Sequence, residues 1–171
     1  FLRVIDQSVT PHVDPHKVLI IISGGEPLMR KDLAEVGAAL KQRGYPWGMV
    51  TNGLALTEKR FKELMAAGLR SVAISFDGLE LDHNWLRQHP LAFEGATRAI
   101  KLAAQYGVQR GSTVVQHSSK LSNTEREALN NIEQAPAPAE QPNRLIWDVV
   151  TCVNQRTINQ LDEMREYLWS I

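Results

Sequence analysis

The sequence predicts an α/β fold in which four parallel strands alternate with helices, as in part of a (β/α) barrel. Two observations support this prediction. Short apolar runs rich in β-branched residues recur along the chain, and most are followed by a segment whose apolar residues return every three or four positions. Capping residues and glycines separate these segments. Alternation of this kind is typical of a parallel sheet whose strands are joined through helices.

The first strand is predicted over residues 18–22, a run of five aliphatic residues that suggests burial on both faces. A helix is predicted near 32–43. Asp32 can cap this helix and Glu35 follows three residues later, which is the capping-box pattern. Gly44 is expected to end the helix.

The second strand is predicted over 47–51, the sequence WGMVT. Thr57 is expected to cap a helix over 58–67, in which apolar residues form one stripe. Gly68 ends this helix, and the third strand is predicted over 71–76.

The second half of the chain is predicted to begin with a loop that runs to Pro90. A long helix is expected over 91–106, with its end at Gly107. The fourth strand is predicted over 146–153, and Thr157 is expected to cap a last helix.

Residues 107–145 are predicted to be an insertion or linker between a helix and the following strand. This segment starts with a polar stretch over 107–120, continues with a short helix over 123–134, and ends in APAPAEQPN. Alternating proline and alanine favour an extended linker.

The chain is interpreted as one partial domain over 1–171. FLRVIDQSV resembles the end of a helix, and the sequence stops in or just after another helix. A four-stranded sheet alone would have two open edges, which complete proteins avoid. We therefore expect a piece of a larger barrel, truncated at both ends.

Composition excludes several classes of function. The 19 basic and 19 acidic residues balance and form no basic stripe, which argues against a nucleic-acid partner. The apolar runs are far shorter than a membrane span, and no signal peptide is recognisable. The single cysteine, Cys152, fits a reducing compartment, so a cytoplasmic location without membrane association is predicted.

Small polar or acidic residues follow each predicted strand. They are Ser23, Gly24, Gly25 and Glu26 at the first, Thr51, Asn52 and Gly53 at the second, Ser75, Asp77 and Gly78 at the third, and Thr151 and Asn154 at the fourth. Pro27 favours an extended backbone at Glu26 and delays the next helix. Because parallel sheets bind ligands at the carboxyl ends of their strands, a ligand site is expected there.

Four stretches resemble, in order and spacing, the core of radical S-adenosylmethionine enzymes. They are ISGGEPLMRKDL, VTNGLALT, SVAISFDGLELDHNWLRQH and VVTCVNQRTINQLDEM, and the resemblance covers about 1–106 and 146–171. It is closest to the branch that modifies peptides and proteins, such as the anaerobic sulfatase-maturating enzymes. The resemblance implies an enzyme that forms a 5′-deoxyadenosyl radical and abstracts hydrogen from a substrate such as a peptide or protein.

The resemblance also implies roles for individual residues. The loop Gly24, Gly25, Glu26 and Pro27 would bind the methionine amino group of S-adenosylmethionine (AdoMet). Ser75 would contact the ribose hydroxyls and Arg87 the methionine carboxylate. Asn52, Asp77 and Asn154 lie at matching strand exits and would line the same site.

The chain departs from the family at the predicted insertion over 107–145 and, more seriously, in its cysteines. The family's C-x3-C-x2-C loop, which ligates a [4Fe–4S] cluster, has no counterpart among these residues. We therefore predict no metal ligand here, a cluster ligated outside this chain, and no AdoMet cleavage by this chain alone. Cys152, on a predicted strand, is interpreted as a buried thiol.

Two alternatives stay open at this stage. One is a non-catalytic α/β module without a cluster, which binds a nucleotide or a protein partner. The other is an unrelated aldolase-like barrel, but none of the strand exits supplies the lysine that a Schiff base requires. His83 and His89, on either side of Arg87, are assigned mainly to surface or capping roles.

Overall fold

The computed structural model describes residues 2–116 and 145–171. Its strands are β1 (Ile20–Ile22), β2 (Trp47–Thr51), β3 (Leu69–Ser75), β4 (Gly107–Gln116) and β5 (Leu145–Val153). Its α-helices are α1 (Leu2–Ser8), α2 (Leu33–Gln42), α3 (Glu58–Ala66), α4 (Glu80–Arg87), α5 (Ala92–Tyr106) and α6 (Leu161–Ser170). The predicted helix over 123–134 and the proline-rich tail lie outside the described residues.

The strands form one parallel sheet in the order β1-β2-β3-β5-β4. β1, β2, β3 and β5 are the four predicted strands, and helices alternate with them as expected. The α/β class, with the strands arranged as in part of a parallel (β/α) barrel, is therefore confirmed.

One face of the sheet carries the core. In β3, Val72 and Ile74 are buried, whereas Ser71 and Ala73 on the other face are half-buried. Helices α3 and α5 pack on β3, and α5 also packs on β5. Helices on one face and a more open opposite face are the arrangement of a barrel wall.

Trp47, at the start of β2, is the largest fully buried side chain. Its indole Nε1 donates a hydrogen bond to the carbonyl oxygen of Ala67 at 3.1 Å. Gly37 of α2 lies against the ring, where an added Cβ would come within 2.3 Å of a ring carbon. This contact sets how closely α2 approaches the sheet.

The first strand is shorter and less covered than predicted. β1 includes only Ile20–Ile22, and the side chain of Ile21 is 44% exposed. In the described sheet β1 is an edge strand that pairs only with β2. The prediction of burial on both faces was therefore wrong for this strand.

Residues 107–116 were predicted to be polar insertion but form β4. This strand pairs with β5 and occupies the other edge of the described sheet. A strand paired on one side only needs no continuous apolar pattern, so its polar sequence concealed it. Whether the remainder of 107–145 is an insertion stays a prediction.

Helix α4 lies where a loop was predicted. Its outer face carries Leu81 and Trp85, which are 83% and 59% exposed, whereas His83 is buried on its inner face. Apolar side chains thus lie on the exposed face of α4 and a polar one on the buried face, opposite to the pattern expected of a surface helix. This inversion explains why the periodicity did not reveal the helix.

The predicted caps were correct in one case out of three. The Thr57 hydroxyl accepts from Arg60 N at the start of α3. Asp32 forms no cap bond, because its carboxylate binds the Arg30 side chain instead. Thr157 precedes a 3-10 turn rather than α6, and its side chain forms no cap bond there.

Candidate functional site

A polar cavity of about 430 Å³ opens at the carboxyl ends of β1, β2 and β3. We call it the strand-exit cavity. Its lining residues are Ser23, Gly24, Gly25, Glu26, Val50, Thr51, Asn52, Ser75 and Arg87. Its volume falls in the range of small-molecule sites, roughly 300–1,000 Å³.

Six of the nine predicted site residues line this cavity, namely Gly24, Gly25, Glu26, Asn52, Ser75 and Arg87. Pro27, Asp77 and Asn154 do not. The predicted strand exits therefore do converge, but three of the residues have other positions.

Gly24 and Gly25 form one wall of the cavity with their backbone. Their φ angles are +87° and +33°, in a region that side-chain-bearing residues rarely adopt. A Cβ added at either position would meet nothing within 4 Å. The glycines thus leave open space beside the backbone, where a ligand can approach the peptide groups.

Glu26 connects this glycine loop to the end of β2. One carboxylate oxygen accepts from Leu28 N at 3.0 Å and from the Thr51 hydroxyl at 2.7 Å. The other oxygen accepts from Asn52 N at 2.8 Å. Two carboxylate oxygens offer about four acceptor positions, so about one remains for a ligand donor.

Pro27 follows Glu26 and fixes the start of the next turn. It is buried and begins the 3-10 turn Pro27–Met29, for which Glu26 is the capping residue. The extended conformation predicted for Glu26 is observed, with φ −112° and ψ 112°. Pro27 therefore shapes the loop without lining the cavity.

The β2 exit is held by its own side chains. The Thr51 hydroxyl accepts from Gly53 N at 3.0 Å, and the Asn52 carbonyl oxygen accepts from Leu54 N at 2.9 Å. Gly53 has φ +75°, and an added Cβ would come within 2.8 Å of Ala99 Cβ on α5. Thr51 was noted at a strand exit but was not predicted to line the site.

Ser75 and Arg87 form the opposite wall. Ser75 is the last residue of β3, is buried, and lines the cavity. Arg87 is the last residue of α4, and 30% of its side chain is exposed. The cavity thus has a carboxylate on one wall and a guanidinium on the other.

Asp77 lies behind Arg87 and not in the cavity lining. Its side chain is fully buried, and Oδ2 lies 2.5 Å from both Nε and Nη2 of Arg87. Oδ1 accepts from Cys152 N of β5 at 2.8 Å. Asp77 was predicted to line the site, but it binds Arg87, which lines the cavity instead.

His83 is the residue of this region that sequence reasoning missed. It was assigned to the surface, but it is buried, and its Nδ1 accepts from Asp77 N at 3.0 Å. Burial lowers the pKa of His83 to about 4, although the Asp77 carboxylate opposes this shift. The ring is therefore neutral at pH 7, as its acceptor role requires. Its spacing of four residues from Arg87 was the available signal.

Asn154 has a local role in the β5–α6 connection. Its side-chain oxygen accepts from Arg156 N at 2.9 Å, and its own backbone N–H donates to the Thr157 hydroxyl at 3.4 Å. It does not line the strand-exit cavity.

Metal ligands are sparse in the described part of the chain. No group of three or more His, Cys, Asp or Glu residues within 2–116 and 145–171 could hold a metal ion. Cys152 is a half-buried free thiol whose pKa is raised by burial. The described residues therefore do not fit an iron–sulfur cluster, which requires several thiolates. Within the same ranges, no helix has the length and hydropathy needed to cross a bilayer.

The fold is a parallel α/β sheet with a polar cavity at its strand exits, and the volume of this cavity is typical of small-molecule sites. A model described as the radical SAM superfamily matches residues 5–119. The chain belongs to this superfamily, whose members use AdoMet and a [4Fe–4S] cluster.

Two curated proteins of Methanosarcina barkeri (strain Fusaro / DSM 804) are similar to the chain. Fe-coproporphyrin III synthase is 34% identical over 93 residues, which are 54% of this chain and 23% of that protein. AdoMet-dependent heme synthase is 35% identical over 101 residues, or 57% of this chain and 29% of that protein. The chain thus spans about a quarter of the length of these relatives. They support the superfamily but not specifically its peptide-modifying branch.

Proposed function

We propose that the strand-exit cavity binds AdoMet, and that this chain is the cofactor-holding part of a radical AdoMet enzyme. The observation that carries the proposal is the pairing of opposite charges in one cavity. Glu26 and Arg87 both line it, on different walls. The amino-acid end of AdoMet carries an ammonium and a carboxylate, so it needs both charges.

Each residue has a binding or orienting role. The ammonium group lies against the remaining acceptor position of Glu26 and the backbone of Gly25. The carboxylate binds the guanidinium of Arg87, whose planar fork matches it. The Ser75 hydroxyl, which can donate and accept, binds the ribose. These residues hold the cofactor and keep its sulfonium in a fixed orientation.

The cofactor supplies the difficult chemistry, which in this superfamily is formation of a 5′-deoxyadenosyl radical with the help of a reduced cluster. Ligands for that cluster do not come from the described residues. The part proposed for this chain is therefore binding and orientation, and this chain alone is expected to leave AdoMet intact.

Calorimetric titration with AdoMet tests the site. We expect Arg87→Ala to weaken AdoMet binding by about tenfold or more, because a charge-assisted hydrogen bond is lost. Arg165→Ala is the matched control, since Arg165 lies on α6, is paired with Asp162, and is not among the cavity-lining residues. Equal AdoMet affinity in both variants would contradict the proposed site.

A non-catalytic nucleotide-binding module is the alternative. It predicts that adenosine 5′-monophosphate, which lacks the amino-acid group, binds as tightly as AdoMet. The proposal predicts that adenosine 5′-monophosphate, which has no ammonium group for Glu26, binds more weakly than AdoMet. The same titrations distinguish the two.

The names of the two relatives, which are synthases of Fe-coproporphyrin III and heme, support a proposal for the substrate class. An iron porphyrin or its precursor is therefore favoured over the peptide or protein that the sequence resemblance implied. Titration of Fe-coproporphyrin III with the AdoMet-loaded chain, followed by the porphyrin absorption band, is expected to show a saturable shift. A linear response without saturation would contradict a porphyrin site in this chain.

A further inference from the structure

The contacts of Asp77 leave one edge of the Arg87 guanidinium free of this carboxylate. Nε and Nη2 both bind Oδ2 of Asp77, which occupies the side edge of the guanidinium group. A guanidinium has five N–H groups, and its end edge, formed by Nη1 and Nη2, can donate hydrogen bonds to a second carboxylate. Since Arg87 lines the cavity and Asp77 does not, the two carboxylates would lie on different edges.

Asp77 itself is fixed from the opposite side. Its Oδ1 accepts from Cys152 N, a backbone group of β5, at 2.8 Å. Its side chain is fully buried, so water does not compete for these contacts. The Asp77 carboxylate is therefore held between β5 and Arg87.

A second contact holds the helix that carries Arg87. The backbone N–H of Asp77 donates to His83 Nδ1 at 3.0 Å, one helical turn before Arg87 in α4. The His83 ring is stacked on Phe76 with centroids 5.5 Å apart and touches the edge of Phe93. One residue at the β3 exit thus binds α4 at two positions of the same face.

We infer that Asp77 is a positioning residue: it fixes Arg87 with the end edge of its guanidinium available to the carboxylate of AdoMet. This inference rests on the proposed function. An arginine side chain loses considerable rotamer freedom on binding, and a residue that orders it beforehand removes that cost from ligand binding.

A competing effect has the opposite sign. The negative charge of Asp77 repels the carboxylate of AdoMet, so its removal alone would strengthen binding. The positively charged Arg87 contacts Asp77 and lines the cavity, so its charge offsets most of this repulsion. We therefore expect the loss of Arg87 orientation to dominate, so that removal of the Asp77 charge weakens AdoMet binding. Stronger AdoMet binding would indicate that the repulsion dominates.

The test compares two probes in the full chain: AdoMet and 5′-methylthioadenosine, which lacks the amino-acid group. Asp77→Asn is expected to weaken AdoMet binding about tenfold, as loss of a charge-assisted contact does, and 5′-methylthioadenosine binding less than about twofold. Asp82→Asn is the matched control. This carboxylate lies on α4, the helix of Arg87, but binds Arg156 and Gln160, so both affinities should stay unchanged.

A double-mutant cycle shows whether Asp77 acts through Arg87. Arg87→Ala should weaken AdoMet binding much less in the Asp77→Asn background than in the unmutated chain, because an unfixed arginine contributes less. Tighter AdoMet binding by Asp77→Asn, or an equal loss for both probes, would overturn the inference. Failure of the unmutated chain to bind AdoMet would instead overturn the proposed function, and the inference with it.

A measurement without ligand covers the case in which Asp77→Asn does not fold. In the unmutated chain, the Arg87 Nε–H should exchange with water far more slowly than the Nε–H of Arg165 in NMR spectra. Equal exchange rates would show that Arg87 is not fixed before binding and would overturn the inference.

Discussion

The two walls of the strand-exit cavity use a carboxylate in opposite ways. On the first wall, Glu26 lines the cavity, and its carboxylate accepts hydrogen bonds from Leu28 N, Asn52 N and the Thr51 hydroxyl. On the second wall, Asp77 is withdrawn from the cavity and holds Arg87, which lines it instead.

This difference gives the cavity its polarity. Two acidic residues at the exits of β1 and β3 would make an anionic cavity if both faced it. Because one of them is buried behind an arginine, the second wall presents a cation. A zwitterion such as an amino acid can then find both partners, which neither carboxylate could provide alone.

The largest expected effect lies on the first wall. Glu26→Ala leaves two backbone N–H groups and the Thr51 hydroxyl without their acceptor. We expect the free energy of unfolding to fall by about 3 kcal/mol, since each unsatisfied donor in a half-buried site costs about 1 kcal/mol or more. Urea denaturation followed by circular dichroism measures this.

Glu35→Ala is the control for that experiment, because Glu35 is an exposed residue of α2. Its unfolding curve should nearly coincide with that of the unmutated chain. An equally small effect of Glu26→Ala would show that Glu26 is free for a ligand and that the walls do not differ in this way.

The second prediction concerns pH and the second wall. The pKa of His83 is about 4 in the folded chain and about 6.5 when unfolded, so the unfolded state binds more protons between these values. This contribution to stability is complete above about pH 6.5 and is lost as the pH falls towards 4. From pH 7 to pH 5 the loss should be about 2 kcal/mol.

Urea denaturation of the unmutated chain and of His83→Gln at both pH values isolates this contribution. The Gln variant should lose less stability over the interval, since its side chain does not titrate. Equal losses of stability in both proteins would show that the pKa of His83 is not lowered as its burial predicts.

The smallest expected effect on stability comes from the glycine loop. Gly25→Ala forces a Cβ onto a residue at φ +33° and should cost about 1 kcal/mol. The added methyl has open space, so the strain is conformational and not a clash. It should also weaken AdoMet binding, because the methyl enters the space beside the backbone.

Gly44→Ala provides the matched control. Gly44 has φ +82° but lies at the end of α2, beside His16 and outside the cavity lining. A similar loss of stability with unchanged AdoMet affinity is expected there. If both variants bind AdoMet like the unmutated chain, the backbone of Gly25 is not part of the binding wall.

Sequence reasoning predicted the sheet well because its signal is local. The apolar runs and the stops at Gly44 and Gly68 were sufficient to place β2, α2, α3 and β3 within about two residues. The same reasoning missed α4, whose inner face carries His83 and Arg87 in place of an apolar stripe. Helices that serve a site in this way violate the pattern that identifies ordinary surface helices.

The site was predicted in composition but not in roles. The glycines, Glu26, Ser75 and Arg87 were recognisable from their positions after strands, and all line the cavity. The spacing of His83 and Arg87 indicated a shared helix face, but the withdrawal of Asp77 and the burial of His83 depend on contacts with Cys152, Phe76 and Phe93. Tertiary contacts of this kind leave no pattern in one sequence.

The pairing of β5 with β3 affects the order in which contacts can form during translation. Asp77 and Cys152 are 75 residues apart, whereas Glu26 and Thr51 are only 25 apart. On the ribosome, the first wall can close once residue 52 has emerged, but the second wall lacks its backbone anchor until residue 152 appears. A nascent chain can therefore form the Glu26 contacts early, whereas Asp77 gains its backbone partner only late in translation.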